Sequence, residues 1–254
     1  MMNRLKSIYV SLVFFKSNIQ YHLRHLLKNY TLKGIRLSIN DDKTLSKDLL
    51  LSVLQGGYED KENKVLNEKL ESNDIVLELG ACIGFNSITA AKINGGKVVS
   101  YEANPNLIPI LKKNQELNNI SFEVRNKILL GKKSNPGTIP FNISENACMS
   151  SFIDYSMSGH LVKETKLIET EFAGDAISAL SPTFLMVDIE GGEEELFSQS
   201  DFLKNSSIKK ILIDVSPAII GESGCSEVVK NIMNAGFDLV TASCNDSVLY
   251  FIRK

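Results

Sequence analysis

Apolar residues recur at Leu5, Ile8, Leu12, Phe15, Ile19, Leu23, Leu26 and Tyr30, in steps of three and four. That spacing predicts an amphipathic helix over roughly the first 30 residues. "INDDKT" reads as a turn, and "LSKDLLLSVLQGGYED" as a short helix stopped by Gly56 and Gly57. Residues 62–72 are charged with a helical period. From Asp74 onward, apolar runs alternate with helical segments. The strand candidates are "DIVLEL", "KVVSYE", "ISFEVRN", "TFLMVDIE", "IKKILIDV", "FDLVTAS" and "SVLYFIRK". The intervening helices are "NSITAAKIN", closed by Gly95-Gly96, then "PNLIPILKKNQELNN" with Pro105 near its first turn, "EEELFSQSDFLK" and "CSEVVKNIMNAG". Residues 128–182 break the rhythm and read as a long irregular stretch with short strands at most. Strands separated by helices predict an α/β fold: a doubly wound, mostly parallel, seven-stranded sheet. The turn between the last two strands is too short for a crossover, so the C-terminal strand is predicted antiparallel. The organisation expected is a basic helical extension over 1–55 and one domain over 56–254.

Composition changes this picture in two places. The net charge is −2 over 254 residues, which excludes a generally basic nucleic-acid binder. The charge is uneven, however. Residues 1–40 hold Arg4, Lys6, Lys16, Arg24, Lys28, Lys33 and Arg36 and no acid, which leaves −9 for the rest. A basic amphipathic helix suits an anionic membrane surface, its own domain, or a partner. The apolar run "IYVSLVFF" is far shorter than the roughly 20 residues a spanning helix needs, and no small-residue cleavage site follows it. Cys82, Cys148, Cys225 and Cys244 are scattered, with no C-x-x-C pair; they read as reduced thiols of a cytoplasmic protein.

The chemistry begins at "VLELGACIGFNS", residues 76–87. A dinucleotide loop reads G-x-G-x-x-G, and its middle glycine lets the backbone approach a pyrophosphate. Cys82 stands at that position, and no G-K-[ST] follows, so a phosphate loop is disfavoured. A ligand with a charged amino-acid end fits better. Gly80 lets the chain turn at the strand end, and Gly84 lets the helix start close against a ligand. Glu78 is placed to accept from an ammonium. Glu102 ends the next strand 22 residues after Gly80, where an acid takes both ribose hydroxyls. S-adenosylmethionine, a nicotinamide dinucleotide and a purely structural turn all remain open on this loop alone.

The second signal is "LMVDIEGGEEELF", residues 185–197. Asp188 and Glu190 follow a buried-looking strand, at the sheet edge where open parallel sheets bind ligands. Two residues apart on an extended chain, they share a face. Such a pair can raise each other's pKa and serve a hydroxyl as general base, or hold a divalent cation through oxygen. No metal ligand is assigned. Glu193, Glu194 and Glu195 are explained by favourable charge at a helix N-terminus. Asp214 ends the next strand in the equivalent position.

In their order and spacing, "DIVLELGACIGFNS", "SYEANP", "LKKNQELNN" and "FLMVDIEGGEEELF" resemble the FkbM-type methyltransferases, as does "GGYEDKEN" at 56–63. The resemblance covers about residues 56–254. It implies a Rossmann-like class I fold and S-adenosylmethionine as cofactor. Glu78, Gly80, Gly84, Glu102 and Asn86 would bind it, Asn86 facing the methionine end or capping the helix, with Asn126 approaching the adenine. Asp188, Glu190 and Asp214 would line the acceptor side, with Asp188 orienting or deprotonating a hydroxyl. The implied reaction is O-methylation of a sugar in a surface glycan, glycolipid or natural product. The long 128–182 segment, with Tyr155 and His160, would shape the acceptor pocket. Departures from the family pattern are Glu78 for Asp, Cys82 for Asn or His, Ala103 for Pro, and Met186 where Lys is common. A nicotinamide oxidoreductase and a non-catalytic relative are the competing readings. The basic N-terminal helix would suit peripheral contact at the inner membrane face; no oligomeric state is specified.

Overall fold

A computed structural model describes residues 13, 15–27, 29–133, 137–152 and 161–254. Its first element is a helix over 15–23 (α1), followed by a single 3-10 turn, Arg24–Leu26. Where the helical extension was expected to continue, Tyr30–Leu32 (β1) and Ile35–Leu37 (β2) form an antiparallel hairpin. Lys33 and Gly34 both hold positive φ, 46° and 80°, which suits the right-handed twist of a two-residue hairpin. Helix α2 (Lys47–Gln55) is capped by Ser46, whose Oγ accepts from Leu49 N at 3.2 Å, and ends at left-handed Gly56. Leu32, Ile35, Leu37, Leu50 and Val53 share one core with Ile83, Phe85, Ile88 and Leu107. The boundary expected at 55/56 therefore has no break in packing: residues 30–55 are part of the domain.

Helix α3 (Asp60–Lys69) leads to β3 (Val76–Leu79), α4 (Phe85–Asn94), β4 (Val98–Tyr101), α5 (Ile108–Asn118) and β5 (Glu123–Arg125). Pro109, not Pro105, occupies the first turn of α5. The stretch expected to be irregular is ordered over most of its described length. Strands β6 (Ile128–Leu130), β7 (Thr138–Ser144) and β8 (Val162–Phe172) form a second sheet in the order β6-β8-β7, and β8 runs directly into α6 (Ala173–Leu180). Strand β8 reads "VKETKLIETEF", with Leu167 outward, so a strand open to solvent over most of its length leaves no clean alternation to recognise. After β9 (Phe184–Val187), the expected single helix is two short ones, α7 (Glu193–Phe197) and α8 (Asp201–Lys204). Strand β10 (Lys210–Asp214) precedes α9 (Pro217–Asn234), which is kinked at Gly221. Strands β11 (Phe237–Leu239) and β12 (Val248–Arg253) close the domain.

The main sheet has seven strands in the order β11-β12-β10-β9-β3-β4-β5. Strand β12 is antiparallel to both neighbours, and the other pairings are parallel, as the alternation and the short final turn predicted. Successive residues point to opposite faces. Leu77, Leu79, Leu185, Val187, Ile211 and Ile213 pack on one side with α6 and α9, while Val76, Phe184, Met186, Leu212 and Tyr250 pack on the other with α3 and α4. Strands run outward in both directions from the β3–β9 pair. The order therefore reverses there, opening a crevice beyond the carboxyl ends of β3 and β9.

Candidate active site

The loop after β3 is set by a close approach of two backbones. Gly80 has φ +87°, and a Cβ there would lie 1.6 Å from the Asp188 carbonyl oxygen. Only glycine lets β3 and β9 end side by side, with Asp188 N donating to Leu79 O at 2.9 Å. Gly80 N and Ala81 N both donate to Tyr101 O, at 2.9 and 3.2 Å. Cys82 follows in a left-handed conformation. Its N–H donates to Glu102 Oε2 at 2.7 Å, and Asn104 N donates to Glu102 Oε1, also at 2.7 Å. Glu102 thus ties the loop after β3 to the turn after β4 while lining a cavity of about 610 Å³ with Gly80 and Tyr101. Burial pushes its carboxyl up to about 7, against the pull of these two N–H donors.

Four sequence-predicted cofactor residues do not line this cavity. Glu78 is buried, accepting from Ser87 Oγ and, at 2.6 Å, from Ser100 Oγ. It touches only a recess of about 10 Å³ behind the loop, at most the space of a single water. Gly84 opens α4 at φ +83°, a backbone that favours glycine, and Leu111 Cγ would lie 2.9 Å from an added Cβ; it packs against α5 and does not line the cavity. Asn126 is exposed and does not line the cavity. Its amide donates to the carbonyls of Glu102 and Ala103, at 2.7 and 2.9 Å, and so holds the turn that carries Glu102. Asn86 faces the same small recess as Glu78 and accepts from Asn63 at 3.4 Å.

The acids expected on the acceptor side do come together. Asp188, Glu190 and Asp214 line both the first cavity and a second of about 710 Å³, which continues past Ser216, Pro217 and Glu222. They meet by a different route from the extended face expected. Strand β9 ends at Val187, and Glu190 (φ 49°) and Gly191 (φ 93°) fold the chain back in a left-handed turn. Glu193, read as helix decoration, is fully buried under this turn. It accepts from Ile189 N at 3.2 Å and Ser216 Oγ at 3.5 Å. Glu195 accepts from Gly131 N at 3.1 Å, pinning the second sheet. Burial raises the Asp188 carboxyl well above its usual range, with the charges of Glu190 and Asp214 adding to it. Burial and Asp214 bring Glu190 to about 7. Asp214 Oδ1 is buried with no hydrogen-bond partner among the described residues.

The turn before α3 and the helix's first turn supply residues that sequence reasoning did not assign to the site: Tyr58, Glu59 and Glu62 line the first cavity. The signal was present in the "GGYEDKEN" stretch, but nothing local says that its acids turn inward. Burial lifts Glu59 to about 8, although Tyr58 and Asn86 donate to it. Glu62 hydrogen-bonds Asp214 and rises to about 7, chiefly by burial. Tyr58 packs edge-on to Phe85, with ring centroids 5.8 Å apart. The expectation of four reduced thiols also changes. Cys82 and Cys148, 66 residues apart, are joined as a disulfide with Cα atoms 5.5 Å apart, while Cys225 and Cys244 are free. The bridge ties the loop after β3 to the second sheet's connection at the cavity wall. Tyr155 and His160 lie outside the described residues. Among the described residues no group of three or more His, Cys, Asp or Glu is arranged to hold a metal ion.

A seven-stranded sheet with one antiparallel strand next to its edge, carrying an acid-lined crevice at the β3–β9 switch point, defines the Rossmann-like class I methyltransferase fold. The family model described as "Methyltransferase FkbM domain" matches residues 78–239, and the chain belongs to that methyltransferase family. This membership overturns the nicotinamide oxidoreductase reading. Solved structures with similar folds include the precorrin-6y C5,15-methyltransferase of Geobacter metallireducens, at 14% identity and TM-score 0.45, the match covering 84% of this chain and 94% of that one. An FkbM methyltransferase of Methylobacillus flagellatus is also 14% identical, with TM-score 0.44, and covers 83% of this chain and 56% of its own. A Pyrococcus abyssi tRNA (uracil-54, C5)-methyltransferase, solved with S-adenosyl-L-homocysteine, is 15% identical with TM-score 0.44, covering 89% and 43%. No curated protein sequence matches the chain.

Proposed function

We propose that the protein is an S-adenosylmethionine-dependent O-methyltransferase acting on an uncharged hydroxyl acceptor, of which a sugar is the natural example. The observation that carries this is the position of Asp188, Glu190 and Asp214 at the junction of two cavities. One cavity holds the cofactor-type loop, and the other is free for an acceptor. The first cavity suits a cationic nucleoside. Glu59, Glu102, Asp188 and Glu190 face it, and its two lysines, Lys61 and Lys127, each pair with carboxylates (Asp246; Glu169 and Glu171). A pyrophosphate would meet more carboxylates than cations there. In this reading Glu102 accepts from the ribose hydroxyls and Glu59 from the ammonium. The bound cofactor supplies an electrophilic methyl carbon on a sulfonium.

The chain's own part is to orient the acceptor oxygen and take its proton. Asp188 is the candidate base. Burial and two neighbouring carboxylates make it a stronger base than an exposed aspartate, so it accepts a proton from a hydroxyl more readily. Glu190 and Asp214 accept hydrogen bonds from neighbouring hydroxyls and hold the acceptor across the junction. The second cavity has no lysine or arginine in its described lining but has Asp188, Glu190, Asp214, Glu222 and Asp246, which supports an uncharged acceptor over a phosphorylated one.

The test is calorimetry with S-adenosylhomocysteine, with NAD as control, followed by methyl transfer from labelled donor to a panel of neutral and phosphorylated sugars. Asp188→Asn is expected to bind S-adenosylhomocysteine within a few-fold of wild type while kcat falls by about 10²-fold or more. Undiminished turnover by this variant would remove Asp188 from the mechanism. Binding of NAD in place of the sulfur nucleoside would remove the cofactor assignment.

A further inference from the structure

Helix α1 sits on the domain by its polar side. Ser17 is buried, Tyr21 packs against the core that contains α2, and Arg24 is 5% exposed, pairing with Asp42 and stacking over the Tyr21 ring at 4.0 Å. The other face carries Phe15, Ile19, Leu23 and Leu26, spaced by four, four and three residues, so they form one stripe. Their relative exposures are 68%, 44%, 52% and 80%. Single exposed apolar side chains are ordinary, but a continuous stripe of four large ones, three on α1 and Leu26 on the 3-10 turn that continues it, marks a contact surface. An amphipathic helix that packs on its own domain buries its apolar side; this one presents that side outward.

The surrounding charge selects the partner. Residues 1–40 contain seven Lys and Arg and no Asp or Glu. Of these, Arg24 is neutralised by Asp42 and Lys33 pairs with Asp60, while Lys16, next to Phe15, and Arg36 are exposed. An apolar stripe with exposed Lys16 beside it, in a segment whose sequence carries seven basic residues and no acid, is complementary to a surface that is apolar at shallow depth and negative at its rim, which is the headgroup–acyl boundary of an anionic bilayer. Among the described residues no helix is long and apolar enough to cross a membrane, so such contact would be peripheral. We propose that the outward stripe Phe15, Ile19, Leu23 and Leu26 docks the enzyme onto anionic phospholipid membranes. The core beneath α1 also contains Cys82 and Ala147 of the cavity wall.

The experiment is vesicle flotation of the full 254-residue protein with phosphatidylcholine vesicles and with vesicles containing phosphatidylglycerol, in parallel with light-scattering measurement of molar mass. The expected result is binding to the phosphatidylglycerol vesicles only, weakened by high salt. Phe15→Ser/Leu26→Ser should lower the partition coefficient at least tenfold, and Lys16→Glu should lower it several-fold. These side chains are exposed, so an unchanged melting temperature will show that the variants are folded. Unaltered partition of the serine variant would overturn the proposal. So would equal binding to uncharged vesicles, or a dimer that the serine variant dissociates while wild type ignores both kinds of vesicle. None of these readouts depends on methyl transfer, so they stand apart from the catalytic assignment.

Discussion

Replacing Gly80 by alanine tests how the cofactor loop and the reacting acids are joined. The new Cβ would stand 1.6 Å from Asp188 O, whereas real Cβ contacts essentially never fall below 3.0 Å. The two strand ends must separate by at least the difference, 1.4 Å. That movement strains the bond from Asp188 N to Leu79 O, at a cost of about 1 kcal/mol. The left-handed backbone, φ +87°, costs an alanine a further ~1–2 kcal/mol. Displaced packing under Val187 and Leu79, both buried, adds to this. A loss of roughly 3–4 kcal/mol is expected, a large share of the ~5–15 kcal/mol that holds a domain together. Chemical denaturation would show it as a fall in midpoint with unchanged slope. Calorimetry on the folded fraction should show S-adenosylhomocysteine affinity reduced by an order of magnitude or more, because Gly80 and Asp188 line the same cavity. Stability within about 1 kcal/mol of wild type, with unchanged affinity, would refute the claim that backbone contact makes this glycine necessary.

Stability should fall as pH rises. Glu78, Glu102 and Glu190 hold their protons to about 7 in the folded chain and Glu59 to about 8, against 4.5 without the fold. The native state therefore binds more protons between those values, and stability present below about pH 4.5 is lost through pH 7 to 8. Glu78→Gln removes one such group, worth on the order of 3 kcal/mol. Thermal melts at about pH 5 and pH 8.5 should then show a fall in Tm roughly 6–12 °C smaller than in wild type. An equal fall would mean Glu78 does not titrate in that range. Asn126→Ala loses two hydrogen bonds at an exposed site, each worth about 1 kcal/mol or less, and should weaken S-adenosylhomocysteine binding a few-fold by calorimetry. Complete loss of binding would instead return Asn126 to ligand contact. Thiol titration of protein denatured without reductant should find two thiols, Cys225 and Cys244, and reduction should lower Tm, since the bridge closes a 66-residue separation worth ~4 kcal/mol. Four thiols would remove the bridge.

The sheet was legible in the amino-acid order because buried parallel strands are short apolar runs and their covering helices keep a 3.6-residue period; both patterns are local. The same locality made Gly80, Glu102, Asp188 and Asp214 readable, since each stands at a strand's carboxyl end. What only tertiary structure decided depends on residues far apart in the chain. Nothing near Cys82 indicates Cys148, and nothing near Glu59 or Glu62 indicates that α3 faces the switch point. Asn126 holds a turn because the carbonyls of Glu102 and Ala103 happen to reach it. Glu78 is spent on Ser87 and Ser100, one from the following helix and one from the neighbouring strand. The 128–182 strands pair with one another and stay half in solvent, so their pattern is weak until they meet. The periodicity of α1 showed that an apolar stripe exists, but only packing decided that the stripe faces outward. Periodicity records which residues share a face, whereas what covers that face is set by contacts between segments distant in the chain.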